Sequence, residues 1–176
     1  MGIGMVIFET NHFTVRHCLM EDTSSYLKFW NDPLVMQYIG DGTWGGGIEK
    51  VNKALCDNIT SYKQQNTLGY CSVVDKSSVE VVGDAGLALL HETSEIEVGY
   101  LLRRDYWGRG LGTELLRGLI KYGFEKLNIE TIVAVVSPEN TASIRLLNKC
   151  GMKLDGKGVF HNRKSLKFSI SSPMKI

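Results

Sequence analysis

Proline is scarce, with three residues in a chain of 176, and no stretch is rich enough in it to read as a linker. Internal repeats and low-complexity tracts are absent too. The expectation is a single domain over residues 1–176, long enough for a real core and too short for two comfortable ones. No apolar run approaches the roughly 18 residues of a membrane-crossing helix, so no membrane partner is expected. The opening MGIGMVIFETNH has neither the basic region nor the cleavage pattern of a secretory signal, and Val6 breaks the myristoylation pattern. Cys18, Cys56, Cys71 and Cys150 form no C-x-x-C pair. That argues against a zinc site or a disulfide framework and makes a reducing, cytoplasmic setting the expectation, with no metal.

What is present is ordinary in amount and uneven in place. Apolar residues make up 43% and charged residues 22%, as in a typical globular protein. The net charge of +1 hides a split. Residues 1–100 hold 6 Lys/Arg against 13 Asp/Glu, and residues 101–176 hold 14 against 6. A basic half suited to an anion and an acidic half suited to a cation is one reading; an uneven surface is the other. No basic–aromatic pattern accompanies the basic half, so nucleic acid is not expected.

Residues 13–18 read as a strand. Tyr26, Leu27 and Trp30 follow helical spacing until Asp32-Pro33 breaks it, and Val35, Met36 and Ile39 mark a second helical piece. GDGTWGGG, from Gly40 to Gly47, reads as a loop. Residues 48–63 read as a helix. Residues 70–74 and 79–90 read as strands joined by the turn DKSS. Strand alternation returns over 95–102, and a helix with a broad apolar stripe follows from about residue 112 to 127. ETIVAVV (130–136) reads as a buried parallel strand. A short helix opens at Pro138 and Asn140 and closes near Cys150, with Gly151 at its left-handed cap; strands are expected at 153–160 and 165–171.

The most informative stretch is YWGRGLGTELL, Tyr106 to Leu116. Glycine costs roughly 1 kcal/mol against alanine inside a helix, so three at a helix mouth need a reason. The first turn offers free N–H groups and the positive end of the helix dipole, and glycines let a phosphate approach them. No Walker string G-x-x-x-x-G-K-[ST] exists here. A dinucleotide fingerprint would need a glycine where Thr113 stands, within a βαβ unit that the preceding hairpin pattern does not supply.

The pyrophosphate of coenzyme A is the third option, and here the chain resembles the GNAT N-acetyltransferases. Their [QR]-x-x-G-x-[GA] signature is similar to Trp107-x-x-Gly110-Leu111-Gly112, with Trp in place of Gln or Arg. That departure resembles the RimJ/RimL branch, the ribosomal-protein N-terminal acetyltransferases and their relatives. Asn140-x-x-Ser143 with Lys149-x-Gly151 is similar to a second family pattern, Met152 replacing a Phe. EVGYLLRRDYWGRG and WNDPLVMQYIG are similar to two further segments of that branch. The four segments span roughly residues 13–155.

The resemblance implies an α/β (α+β) fold: a mixed, mostly antiparallel sheet of about seven strands flanked by helices, around a βαβα acetyl-CoA-binding core. It implies acetyl transfer from acetyl-CoA directly to a primary amine. The acceptor is a protein N-terminus, or alternatively a small amine such as a polyamine, an amino acid or an aminoglycoside. A catalytically silent acyl-CoA-binding module is the reading from another class. Cofactor contacts fall to the backbone of Tyr100, Leu101 and Leu102, to Trp107, Gly108, Arg109, Gly110, Leu111, Gly112 and Thr113, and to Asn140 and Ser143. Glu97 is the expected base, with Glu95, Glu92 and His91 as alternatives. Many family members carry an acidic Tyr where this chain has Leu147, which leaves Ser143 as candidate acid or simple helix cap. Trp30, Tyr38, Trp44 and Glu95 are candidates to hold the acceptor, Trp30 equally a core residue. Cys150 reads as a core thiol rather than an acetyl relay. Either a monomer or a homodimer fits.

Overall fold

A computed structural model describes residues 4–40, 47–63 and 68–173. In chain order the strands and α-helices are β1 (Val6–Glu9), β2 (Phe13–Arg16), α1 (Thr23–Trp30), α2 (Pro33–Met36), α3 (Ile48–Lys63), β3 (Gly69–Asp75), β4 (Val81–Leu90), β5 (Glu95–Leu102), α4 (Leu111–Glu125), β6 (Thr131–Val136), α5 (Thr141–Lys149), β7 (Lys153–Phe160) and β8 (Arg163–Ser171). The strands form one sheet ordered β1-β2-β3-β4-β5-β6-β8-β7. The sequence reading expects seven strands, and the eighth is β1, a four-residue edge strand with no buried position and hence no alternation to read. The strand expected from residue 79 begins at Val81 instead, because Val79 sits at φ 62 in the turn that closes the hairpin.

Each neighbouring pair is antiparallel except β5 and β6. That one parallel pair forces a crossover, and α4 makes it. Side chains alternate between the faces of β5. Val98 and Leu102 join the core beneath α4, with Leu115, Leu116 and Leu119 of that helix at most 2% exposed. Leu101 turns to the other face, into a cluster with Tyr26, Phe29 and Trp30 of α1 and Val51 and Leu55 of α3. TIVAVV of β6 buries four of its six residues, as a central strand must. No helix among the described residues is long and apolar enough to cross a membrane.

Candidate active site

The sheet is split at its centre. β5 and β6 pair only at Ile96↔Ile132 and Glu97↔Val133. Beyond that point β5 stays with β4 as far as Leu102, and β6 stays with β8 as far as Val136. The far end of β5 therefore has one bare edge. Arg103 donates its N–H to Val82 O at 2.7 Å, which fixes the alternation along β5. Odd-numbered residues direct their backbone groups to β4; the Val98 N–H completes the Glu97↔Val133 pairing with β6, and beyond it Tyr100 and Leu102 direct theirs into the gap. The Leu102 carbonyl there accepts from the Trp107 indole Nε1 at 2.8 Å.

At the mouth of the gap lies the glycine turn. Gly108 and Gly110 have φ of 72 and 78, left-handed values that suit glycine, and Gly110 is the N-cap of α4. An added Cβ at either would meet nothing within 4 Å, so space is open in front of the turn. Thr113 and Glu114 N–H already bond back to Gly110 O, at 3.1 and 3.2 Å. The N–H groups of Leu111 and Gly112, ahead of them, are free helix-end donors. Gly112 has a second duty: a Cβ there would lie 2.8 Å from Leu146 Cδ1, so the glycine lets α4 pack against α5. Arg109 lies over the Tyr106 ring, 5.6 Å from its centroid. Arg103 is committed to Asp105 and Glu80, and Arg104 to Asp32.

Glu97 stands at the fork, on the last β5 residue paired with β6, and is 8% exposed. Its Oε2 lies 2.8 Å from His161 Nε2. His161 and Asn162, with φ of 49 and 60, form the two-residue turn between β7 and β8, and the His161 N–H donates to Glu92 Oε1 at 2.7 Å. The hydrogen bond to Glu97 raises the His161 pKa above 6.5, against the opposing effect of burial. Glu95, on the same face, is engaged by Lys167 Nζ at 2.9 and 3.0 Å, and Lys167 also reaches Asp155.

Trp30 is buried, and its Nε1 donates to Asp84 Oδ2 at 3.1 Å. Asp84 is itself buried, which pushes its carboxyl up to about 7 against the lowering effect of that bond. Tyr38 OH reaches Glu139 O at 3.5 Å, and Arg163 Nη1 donates to Gln37 O at 3.1 Å, so the end of α2 bridges to the loop after β6 and to the start of β8. Trp44 lies outside the described residues.

The first turn of α5 closes the other side of the gap. Asn140 caps that helix, its Oδ1 accepting from the Ser143 N–H at 3.1 Å. Ser143 Oγ lies 3.0 Å from the Tyr100 hydroxyl. Leu147 points into the core at 1% exposure. Cys150 is half-buried and donates to Thr113 O at 3.7 Å; burial raises its thiol pKa, as expected of a packing residue. Two partners lay beyond the sequence reading, His161 and the Tyr100 hydroxyl. The first is 64 residues from Glu97 and the second 43 from Ser143.

The comparison with known families places the chain among the acetyltransferases. A family model described as an acetyltransferase (GNAT) domain matches residues 12–153, and the chain belongs to that family. It is 33% identical to the N-acetyltransferase p20 of Bacillus licheniformis over 84% of this chain and 82% of that protein. A GNAT-family acetyltransferase structure from Bacillus anthracis superposes with a TM-score of 0.78 at 21% identity, covering 93% and 96% of the two chains. RimL, an acetyltransferase of ribosomal L7/L12 solved in complex with coenzyme A, gives 0.78 at 15% identity over 94% and 97%. At these identities the structural likeness concerns the fold.

Proposed function

We propose that the protein is an acetyl-CoA-dependent N-acetyltransferase acting by direct transfer to a primary amine, with a protein N-terminus as the leading acceptor. The observation that carries this reading is the bare edge of β5 beside a glycine-opened helix mouth. The gap offers the Val98 carbonyl and the Tyr100 N–H to an extended amide chain, and the mouth offers the free N–H groups of Leu111 and Gly112 to a pyrophosphate. RimL, with the same fold, binds coenzyme A. Such a ligand lies along β5 as an added strand, with the Tyr100 N–H, the first free donor of that edge, polarising the thioester carbonyl.

Glu97 is the base in this reading. It sits at the fork of the strands, where the thioester end of the ligand comes to rest, on the face carrying Trp30, Asp84 and the end of α2. An ammonium arriving from that face gives Glu97 a proton, and the neutral amine attacks the carbonyl carbon. The test is thiol release from acetyl-CoA with peptide N-termini, polyamines and aminoglycosides, using wild type and Glu97→Gln. Glu97→Gln should lose about 10²-fold in turnover near neutral pH and recover part of it at high pH, where the amine is already neutral. A wild-type rate at every pH would move the base to another residue.

A further inference from the structure

Family members commonly place a tyrosine where this chain has Leu147, and Leu147 is buried in the core. Another tyrosine reaches the gap from the opposite side. Tyr100 lies three residues past the last β5–β6 pair, in the bare part of β5, and its hydroxyl meets Ser143 Oγ at 3.0 Å across the opening. The odd spacing between Glu97 and Tyr100 puts their side chains on opposite faces of the sheet, about 10 Å apart along the strand. Glu97 therefore faces the acceptor side, and the Tyr100 hydroxyl faces α4 and α5.

We propose that the Tyr100 hydroxyl, held by Ser143, is the group that stabilises the departing sulfur. This rests on the acetyl-transfer reading above. As the amine nitrogen bonds to the thioester carbon, the C–S bond breaks and sulfur keeps the electron pair. The ammonium's first proton passes through Glu97 to solvent before attack, and the second, shed by the nitrogen as the amide forms, goes to the freed Glu97 carboxylate. Tyr100 donates its O–H to the sulfur as a hydrogen bond and keeps the proton, and the freed thiolate takes a proton from water. Burial supports the role: it pushes the Tyr100 phenol up to about 12, with Ser143 opposing, so the O–H is present throughout the neutral range. Ser143 is fixed because its own backbone N–H is tied to the Asn140 cap.

Tyr100→Phe and Ser143→Ala, singly and together, test this by steady-state kinetics with calorimetric CoA binding and thermal melting. A donor that acts on the transition state should give a fall of about 10²-fold in kcat for Tyr100→Phe, with KM for acetyl-CoA, CoA affinity and Tm close to wild type. Ser143→Ala should cost less, and the double variant should match Tyr100→Phe, because the two hydroxyls act as one unit. If the pair is only a latch between β5 and α5, CoA affinity and Tm fall while kcat holds, and the inference fails. If Tyr100→Phe does not fold, a Ser143→Ala variant with unchanged kcat overturns it equally. A wild type that transfers no acetyl group sinks the parent reading instead.

Discussion

His161 and Asp84 give the face of the sheet that carries Glu97 two separate pH dependences. His161 gains Glu97 as a partner in the folded state, so its folded pKa exceeds 6.5. The stability it contributes is complete below that value and is lost as pH rises through the raised one. The Tm advantage of wild type over His161→Ala should therefore shrink as pH rises above about 6.5, and NMR titration should place the imidazole above 6.5. Asp84 acts in the same direction over a lower pH range. Unfolded, it ionises at 3.8; folded, burial delays that to about 7. The folded state holds the extra proton, so stability is highest below 3.8 and is eroded up to about 7. Asp84→Asn removes that erosion. Its melting temperature relative to wild type should rise from about pH 4 to about pH 8, the stability change reaching up to about 4 kcal/mol. A pH-independent difference would mean that Asp84 is ionised in the folded protein. The strand face of Glu97 was legible in the sequence because alternation fixes it. His161 was not, since a type of turn that tolerates positive φ at both positions is usually signalled by glycine, and here His161-Asn162 fills it.

At the scale of elements, the start of α4 separates glycines by their work. Gly110 is left-handed with open space before it, and Gly112 is helical and packed on Leu146. Gly110→Val strains the backbone by about 1–3 kcal/mol and fills the space a phosphate would enter. It should abolish CoA binding while leaving a folded protein. Gly112→Val should instead push α4 from α5, at about 1–3 kcal/mol of overpacking, and lower Tm. Calorimetry with CoA and melting curves on both variants check this, and equal effects on both readouts would contradict the division. The glycine string revealed the helix mouth, but only the packing of α5 assigns Gly112. Helix α3 is read from periodicity, since it buries one face, and α5 from its capping residues; β5 is read from the alternation of Ile96, Val98, Tyr100 and Leu102, although both of its faces carry buried residues. β1 escapes because an exposed edge carries no such pattern.

At the scale of the whole molecule, the basic half of the sequence forms one side of the gap and the sheet beyond it. Residues from 101 onward build α4, β6, α5, β7 and β8. Yet Arg103 and Arg104 are bound to carboxylates, which leaves Arg109, stacked on Tyr106, as the cation of the glycine turn. CoA affinity should fall as ionic strength shortens the Debye length below about 10 Å, and Arg109→Ala should remove part of that dependence. Calorimetry at low and high salt decides it; identical salt slopes in both proteins would assign the attraction elsewhere. What the sequence could not give was the split itself. The 130–136 segment announced a buried parallel strand, but how far it stays paired with β5 depends on β4 and β8 pulling the two strands apart.

The account turns on that bare edge, and amide hydrogen exchange reads it directly. The N–H group of Tyr100 faces the gap, whereas those of Gly99 and Leu101 are bonded to β4. Added acetyl-CoA should slow exchange at Tyr100 sharply, and at Leu111 and Gly112, while Gly99 and Leu101 change little. Acetyl-CoA that binds and leaves Tyr100 exchanging as before would contradict this reading of the edge.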